Sequence, residues 1–341
     1  MNDVSITAAR PIATLLPATS SATARVPDYG WWIGGGMILS MAVLAVMMHI
    51  AGLAIDPSET DNLPFYVSGV VLLALRFGLR DRSWRHARAV ADCAEYYGVF
   101  TVLALMGAVA SYPVAAMTHG FHDAALQRID TLLRFDWLAW YRLVAATPIL
   151  QALGLAAYRS IYLTPAILFA TFAFTGDRVA AHRFLATFWL TAVGTLILYT
   201  FMPAVGPFSY LWHGPIVYMP ESELWQPGLI PALRSHSERI VDLGHLRGIV
   251  SAPSFHAAAA TIYIHAAWRL PRLRWPVLAV NTAMLLSTPV EGTHYLIDII
   301  LGTVVALAAI AALHRIMPRT TGPQAGTAIG IAGVAATHRP R

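Results

Sequence analysis

Residues 294–314 read HYLIDIILGTVVALAAIAALH. Apart from the Tyr295 phenol, the ionisable groups in this run are His294 and Asp298 at its start and His314 at its end. Its length matches the roughly 20 apolar residues that a helix needs to cross the hydrocarbon core of a bilayer. Working outward, seven more apolar runs follow the same rule, at about 31–54, 63–79, 95–117, 148–175, 184–202, 253–270 and 273–290. The composition agrees. Of the 341 residues, 57% are hydrophobic and 12% charged, with a mean hydropathy of +0.58, whereas a soluble domain carries about 25% charged residues. An ordinary cytosolic enzyme and a disordered chain are excluded. The expected fold is all-α, a polytopic membrane bundle of about eight transmembrane helices.

The basic residues give the orientation, because cytoplasmic loops collect them. All 23 are arginine. With the N-terminus inside, sixteen of them fall on the cytoplasmic side, five in the short connection that holds Arg76, Arg80, Arg82, Arg85 and Arg88. The long connections 118–147 and 203–252 then face outside. No basic helix or aromatic-and-basic interleaving appears, so nucleic acid is not an expected partner despite the net charge of +5. Residues 1–28, rich in Ala, Thr, Ser and Pro, read as a flexible tail without the apolar core of a signal peptide. Residues 317–341 read the same way. The chain thus divides into that N-terminal tail, transmembrane helices over 29–117, a membrane domain over 118–316 and the C-terminal tail. Arginine without lysine is typical of high-GC coding and points to a bacterial inner membrane.

Segment 121–145 (FHDAALQRIDTLLRFDWLAWYRLVA) is amphipathic. It predicts either an interfacial helix on the outer leaflet, with Trp137, Trp140 and Tyr141 at the headgroups, or a helix packed over the bundle mouth. The single cysteine, Cys93, matches no metal-ligand spacing, and no cluster of His, Asp, Glu or Cys does so either. No metal or cofactor is expected.

Most of the 13 histidines lie in arginine-rich loops or apolar spans and need no role. Two fall at helix mouths on one side. His256 follows Pro253 and Ser254 at the mouth of the sixth run, and His294 opens the eighth, with Asp298 four residues on. That spacing places His294 and Asp298 on one helical face. A carboxylate there accepts a hydrogen bond from one imidazole nitrogen and leaves the other lone pair free to attack. An Asp inside a span costs roughly 2.5–3.5 kcal/mol on insertion scales, so it needs a partner. Ser254 is the expected N-cap of the sixth helix, whose first amides and dipole form an anion site. A nucleophilic His, its orienting Asp, a second His and a phosphate cradle point to phosphoryl transfer through a phosphohistidine.

At these residues the chain resembles the type 2 phosphatidic acid phosphatase superfamily. That family's second motif, Pro-Ser-Gly-His, is matched by Pro253-Ser254-Phe255-His256. Its third, Ser-Arg-x5-His-x3-Asp, is matched by Ser287-Thr288 followed by His294 and Asp298. The resemblance spans roughly 120–314 and is closer to the branch with inositol phosphorylceramide synthase, which shares the His-Tyr pair and a Pro-rich loop, here Pro203–Phe208. It departs in two cations. The first motif, Lys-x6-Arg-Pro, is absent, and Thr288 replaces the third-motif arginine. Arg159, within the fourth run, and Arg247, six residues before Pro253, are the expected substitutes for phosphate binding.

The resemblance implies an integral membrane phosphatase or phosphotransferase for a lipid phosphate, whether phospholipid, sphingolipid or polyprenyl phosphate, acting on the outer face with both termini cytoplasmic. His294 would attack phosphorus, Asp298 would orient it, and His256 would protonate the leaving oxygen. The acceptor is either water or an alcohol such as inositol. Two rivals follow from the same residues: a transporter using the His/Asp pair as a proton relay, and an inactive scaffold that lacks the two cations. The residues carry no signal of oligomeric state.

Overall fold

A computed structural model describes residues 30–222 and 224–316. Both expected tails, 1–28 and 317–341, lie outside the described residues. Helices follow in the order α1 (Gly30–Ala51), α2 (Leu63–Gly78), α3 (Ala87–Met117), α4 (Asp123–Leu132), α5 (Trp137–Ala145), α6 (Pro148–Thr175), α7 (Arg178–Tyr199), α8 (Pro207–Leu211), α9 (Gln226–Arg234), α10 (Phe255–Ala267), α11 (Arg274–Glu291) and α12 (Leu296–Ile316). Among the described residues the only extended pairing is an isolated bridge between Ala54 and Ile240.

The fold is a helical membrane bundle, and each of the eight apolar runs falls on a helix. Among the described residues five helices are long and apolar enough to cross a membrane: α1, α3, α6, α7 and α12. The other three runs fall on α2, α10 and α11, which are shorter or more polar members of the same bundle. At 1.5 Å per residue α10 is only about 20 Å long, and α2 has 16 residues. In α11, eighteen residues include the buried Asn281 and Glu291, which dilute its apolar character.

α10 can be short because it is central, packed against α6, α7, α11 and α12. Its residues Ala257, Ala258, Ala259 and Ala260 are all fully buried. Small side chains let neighbouring backbones approach closely, as in membrane helix interfaces generally. Around α10 an aromatic core gathers Tyr96, Phe100, Phe169, Phe184, Phe188 and Tyr263. Phe100 and Phe188 have centroids 4.6 Å apart, and Phe169 meets Phe184 edge-on at 4.9 Å. Both are favourable aromatic geometries. By contrast α1 exposes Ile38, Leu39, Val46 and Ile50 along its length, the character of a lipid-facing surface.

Segment 121–145 is two helices, not one. α4 stops at Leu132, Arg134 takes a left-handed φ of 59°, and Asp136 then caps α5 by accepting from the amide of Ala139 at 3.0 Å. α5 packs over the end of α11, where Trp137 Nε1 donates to the Pro289 carbonyl at 2.7 Å. Trp137 and Tyr141 are buried and stacked on each other. Of the two alternatives for this segment, these contacts match the helix packed over the bundle mouth. The connection 203–252 is likewise ordered, with Ile230, Leu233, Val241 and Ile249 buried against α3 and the end of α1.

Candidate functional site

α10 starts as its sequence predicts. Ser254 is its N-cap, with Oγ accepting from the amide of Ala257 at 3.5 Å. The Ser254 amide donates to the Asp298 carbonyl at 3.0 Å, tying the mouth of α10 to the first turn of α12. Gly302 makes this approach possible, since a Cβ there would run into the Ser254 carbonyl. Asp130 accepts from the amides of Leu296 and Ile297 at 2.8 and 3.0 Å, so the mouth of α12 already holds an anion. At α10 the amides of Phe255 and His256 have no acceptor among the described residues. An incoming phosphate would find its donors there.

His294 does not lie on a helical face. It sits in the connection between α11 and α12, just after Thr293, whose φ is 48°. A left-handed β-branched residue is a strained position that the surroundings must enforce. The turn still delivers the expected pair. His294 Nδ1 is 3.5 Å from Asp298 Oδ2, with the side chains 5% and 0% exposed. That is wider than the 2.7–2.9 Å of a charge-assisted hydrogen bond, and Nδ1 is buried with no hydrogen-bond partner among the described residues. Asp298 is the third residue of α12, and the same Oδ2 accepts from the Tyr295 amide at 3.0 Å, the arrangement of a capping box. The carboxylate is therefore fixed by the helix start before it meets the imidazole.

His256 is the second residue of α10. Its ring lies parallel to that of Tyr158 on α6, centroids 3.8 Å apart at 14°. The Tyr158 hydroxyl is 3.0 Å from the point where a Cβ on Gly292 would sit, and His294 Cδ2 is 2.5 Å from the same point. Tyr158 thus stacks on His256 with its hydroxyl beside Gly292, where only glycine fits. The sequence singles out Arg159, but it is the neighbouring Tyr158 that faces inward.

Two buried acids on α4 hold the connection that carries His294 from the other side. Asp123 accepts from the amides of Val205 and Gly206 and from the Tyr295 hydroxyl, each at 3.0 Å. Asp130 caps α12 as described. Both are almost fully buried, and burial pushes both carboxyls above the usual carboxylate range while the amide donors pull the other way. Gly206, with a φ of 88°, packs against Thr293 so closely that a Cβ would lie 2.7 Å from the Thr293 carbonyl. The Pro-rich loop and α4 together impose the strained backbone that aims His294.

The expected cations are placed differently from the histidines. Arg159 has a side chain 59% exposed and pairs with Glu221, Nε to Oε1 at 2.8 Å and Nη2 to Oε2 at 2.9 Å. The Glu221 amide in turn donates to Glu291 at 3.1 Å, and Tyr218 donates its hydroxyl to the same carboxylate at 2.7 Å. Arg247 lays its guanidinium over Trp225, 4.1 Å from the ring centroid. Thr288, at the position of the missing arginine, gives its hydroxyl to the Met284 carbonyl at 2.7 Å. One group of possible metal ligands occurs among the described residues, Asp61, Asp242 and His245, with ligand atoms within 4.8 Å of one another. The three come from two distant loops, which is why spacing along the chain does not reveal them. None belongs to the histidine site.

A family model described as the PAP2 superfamily matches residues 124–312. The match covers α5 to α11, most of α4 and α12, and every residue of the His256, His294 and Asp298 constellation. Neither a curated protein nor a solved structure matches the chain.

Proposed function

Because the chain belongs to the PAP2 superfamily, we propose that it transfers the phosphoryl group of a lipid phosphate through a phosphohistidine on His294. Membership supports phosphatase-type activity on a lipid phosphate in general terms. The observation that carries the finer reading is the His294–Asp298 pair, 3.5 Å apart and buried, beside a second histidine at the mouth of the adjoining helix.

Asp298 holds Nδ1–H, which leaves the Nε2 lone pair to attack phosphorus. As the P–Nε2 bond forms, the P–O bond to the lipid breaks and His256 gives a proton to the departing oxygen. The amides of Phe255 and His256 face the negative charge that builds on the phosphoryl oxygens, and the dipole of α10 adds to them. Water or an alcohol then attacks phosphorus, loses its proton to His256 and releases Nε2. A hydroxylated acceptor such as inositol suits the branch that shares the His-Tyr pair, and water gives a phosphatase. Arg159 and Arg247 are proposed as the cations that replace the missing pair, with Arg159 leaving Glu221 when substrate binds. The site faces the outer side of a bacterial inner membrane, with both termini cytoplasmic.

Purified protein with a panel of labelled lipid phosphates tests this reading. The expected result is release or transfer of phosphate by the wild type and none by His294→Ala at equal folded concentration. A His294→Ala protein with wild-type turnover ends the phosphohistidine mechanism.

A further inference from the structure

At the opposite end of the bundle from the histidines, four arginines line one cavity. α3 and α7 both begin at this cavity and both run to the catalytic end. α3 leads into α4, and α7 leads into the Pro203–Gly206 loop. The cavity has a volume of about 320 Å³ and is lined by Arg76, Arg80, Asp81, Arg88, Asp92 and Arg178, together with Ala91.

One of these guanidinium groups is anchored: Arg76 is paired with Asp92 at 3.8 Å and with Glu95. Arg80 and Arg88 have no ion pair among the described residues, and both are exposed. The same connection adds Arg82 and Arg85, so the acids do not neutralise it. Exposed aromatic rings stand around it. Trp84 is 56% exposed and meets His86 edge-on, His86 lies against Phe174, and Phe77 is 66% exposed. Aromatic rings of this kind mark the level of the lipid headgroups, and a basic pocket between helix ends at that level suits an anionic headgroup.

We infer that this cavity binds the phosphate of an anionic phospholipid in the leaflet opposite the catalytic mouth, through Arg80 and Arg88, with Arg76 as a fixed wall and Arg178 completing the lining. The ligand chemistry is a phosphate group. A volume of about 320 Å³ also leaves room for the adjoining glycerol. This inference does not depend on the catalytic reading, because it uses none of the catalytic residues.

The test is the thermal midpoint of the full chain in a neutral detergent, titrated separately with phosphatidylglycerol, phosphatidylcholine and inorganic phosphate. The Arg80→Gln/Arg88→Gln double variant is titrated beside the wild type. Phosphatidylglycerol is expected to raise the wild-type midpoint saturably, and the double variant to bind it roughly 30-fold more weakly, at about 1 kcal/mol per arginine near a membrane surface. Turnover of the double variant should be unchanged. A shift with inorganic phosphate as large as with lipid supports the site with free phosphate as occupant, and a shift with phosphatidylglycerol alone supports it with the lipid. An equal shift with phosphatidylcholine, or a wild-type shift in the double variant, overturns the proposal. If the double variant does not fold, Arg80→Lys/Arg88→Lys keeps the charge, and affinity retained within about 3-fold supports the site. Complete loss of the shift in that charge-preserving variant overturns it.

Discussion

At the scale of single residues, the proposed mechanism rests on restraint of His294. Asp298 is positioned by the start of α12 and then by the imidazole, so Asp298→Asn keeps the capping acceptor while it loses the charge. We expect a fall in turnover on the order of 10⁴, as for triad aspartates, with an unchanged melting curve. Equal turnover would show that Asp298 serves only the helix. Arg159 gives a second test. Arg159→Gln should cost roughly 10²-fold per folded molecule if the guanidinium reaches the phosphoryl group. Glu221→Gln, which releases Arg159, should cost nothing. If Arg159→Gln instead lowers the melting temperature at constant turnover, the Glu221 pair is a surface tie and the charge comes from elsewhere. Spacing alone was enough to single out Ser254, His256, His294 and Asp298 as candidates, because each pair is close in sequence at or beside a helix start. Tyr158 was hidden, since the side of α6 that faces His256 depends on how α6 packs against α10.

At the scale of elements, α4 is the part whose role the sequence conceals. Asp123 and Asp130 are seven residues apart, two turns along one face, yet in the sequence they look like the wet side of an amphipathic helix. They face inward because distant amides need them: Val205, Gly206, Leu296 and Ile297 all donate to these two carboxylates. A buried amide left without an acceptor costs about 1–3 kcal/mol. Asp130→Ala should therefore lower stability by roughly that amount in thermal melts, and it should reduce kcat more than it raises KM because the connection holding His294 slackens. A variant destabilised to that extent with wild-type kcat would confine Asp130 to capping. Gly206→Ala acts on the same connection from the loop side. At a φ of 88°, with a Cβ 2.7 Å from the Thr293 carbonyl, the new methyl displaces Thr293, and turnover should fall while α12 stays folded, as circular dichroism would show. The two-helix form of 121–145 was likewise hidden, because the break rests on the left-handed Arg134, a conformation that arginine seldom takes.

At the scale of the whole molecule, the apolar runs located every membrane-scale helix, while their burial could not be read from hydropathy. A helix surrounded by other helices and one facing lipid are both apolar, so hydropathy did not separate the central α10 from the lipid-facing α1. Orientation rests on the arginines alone. In a Cys93→Ser background, cysteine at the exposed Ser237 on the 203–252 connection should react with an impermeant thiol reagent in intact cells. Labelling only after lysis would reverse the orientation and move the catalytic mouth to the cytoplasm.

The central claim is that His294 carries the phosphoryl group, and a quenched reaction tests it most directly. Protein mixed with a ³²P-labelled lipid phosphate, stopped within one turnover in alkali and digested should give one labelled peptide, containing His294. That label should be lost in acid, be absent from His294→Ala and be present in Asp298→Asn at a slower rate. Turnover with no label on protein, or a label that survives acid on any other residue, would contradict the mechanism.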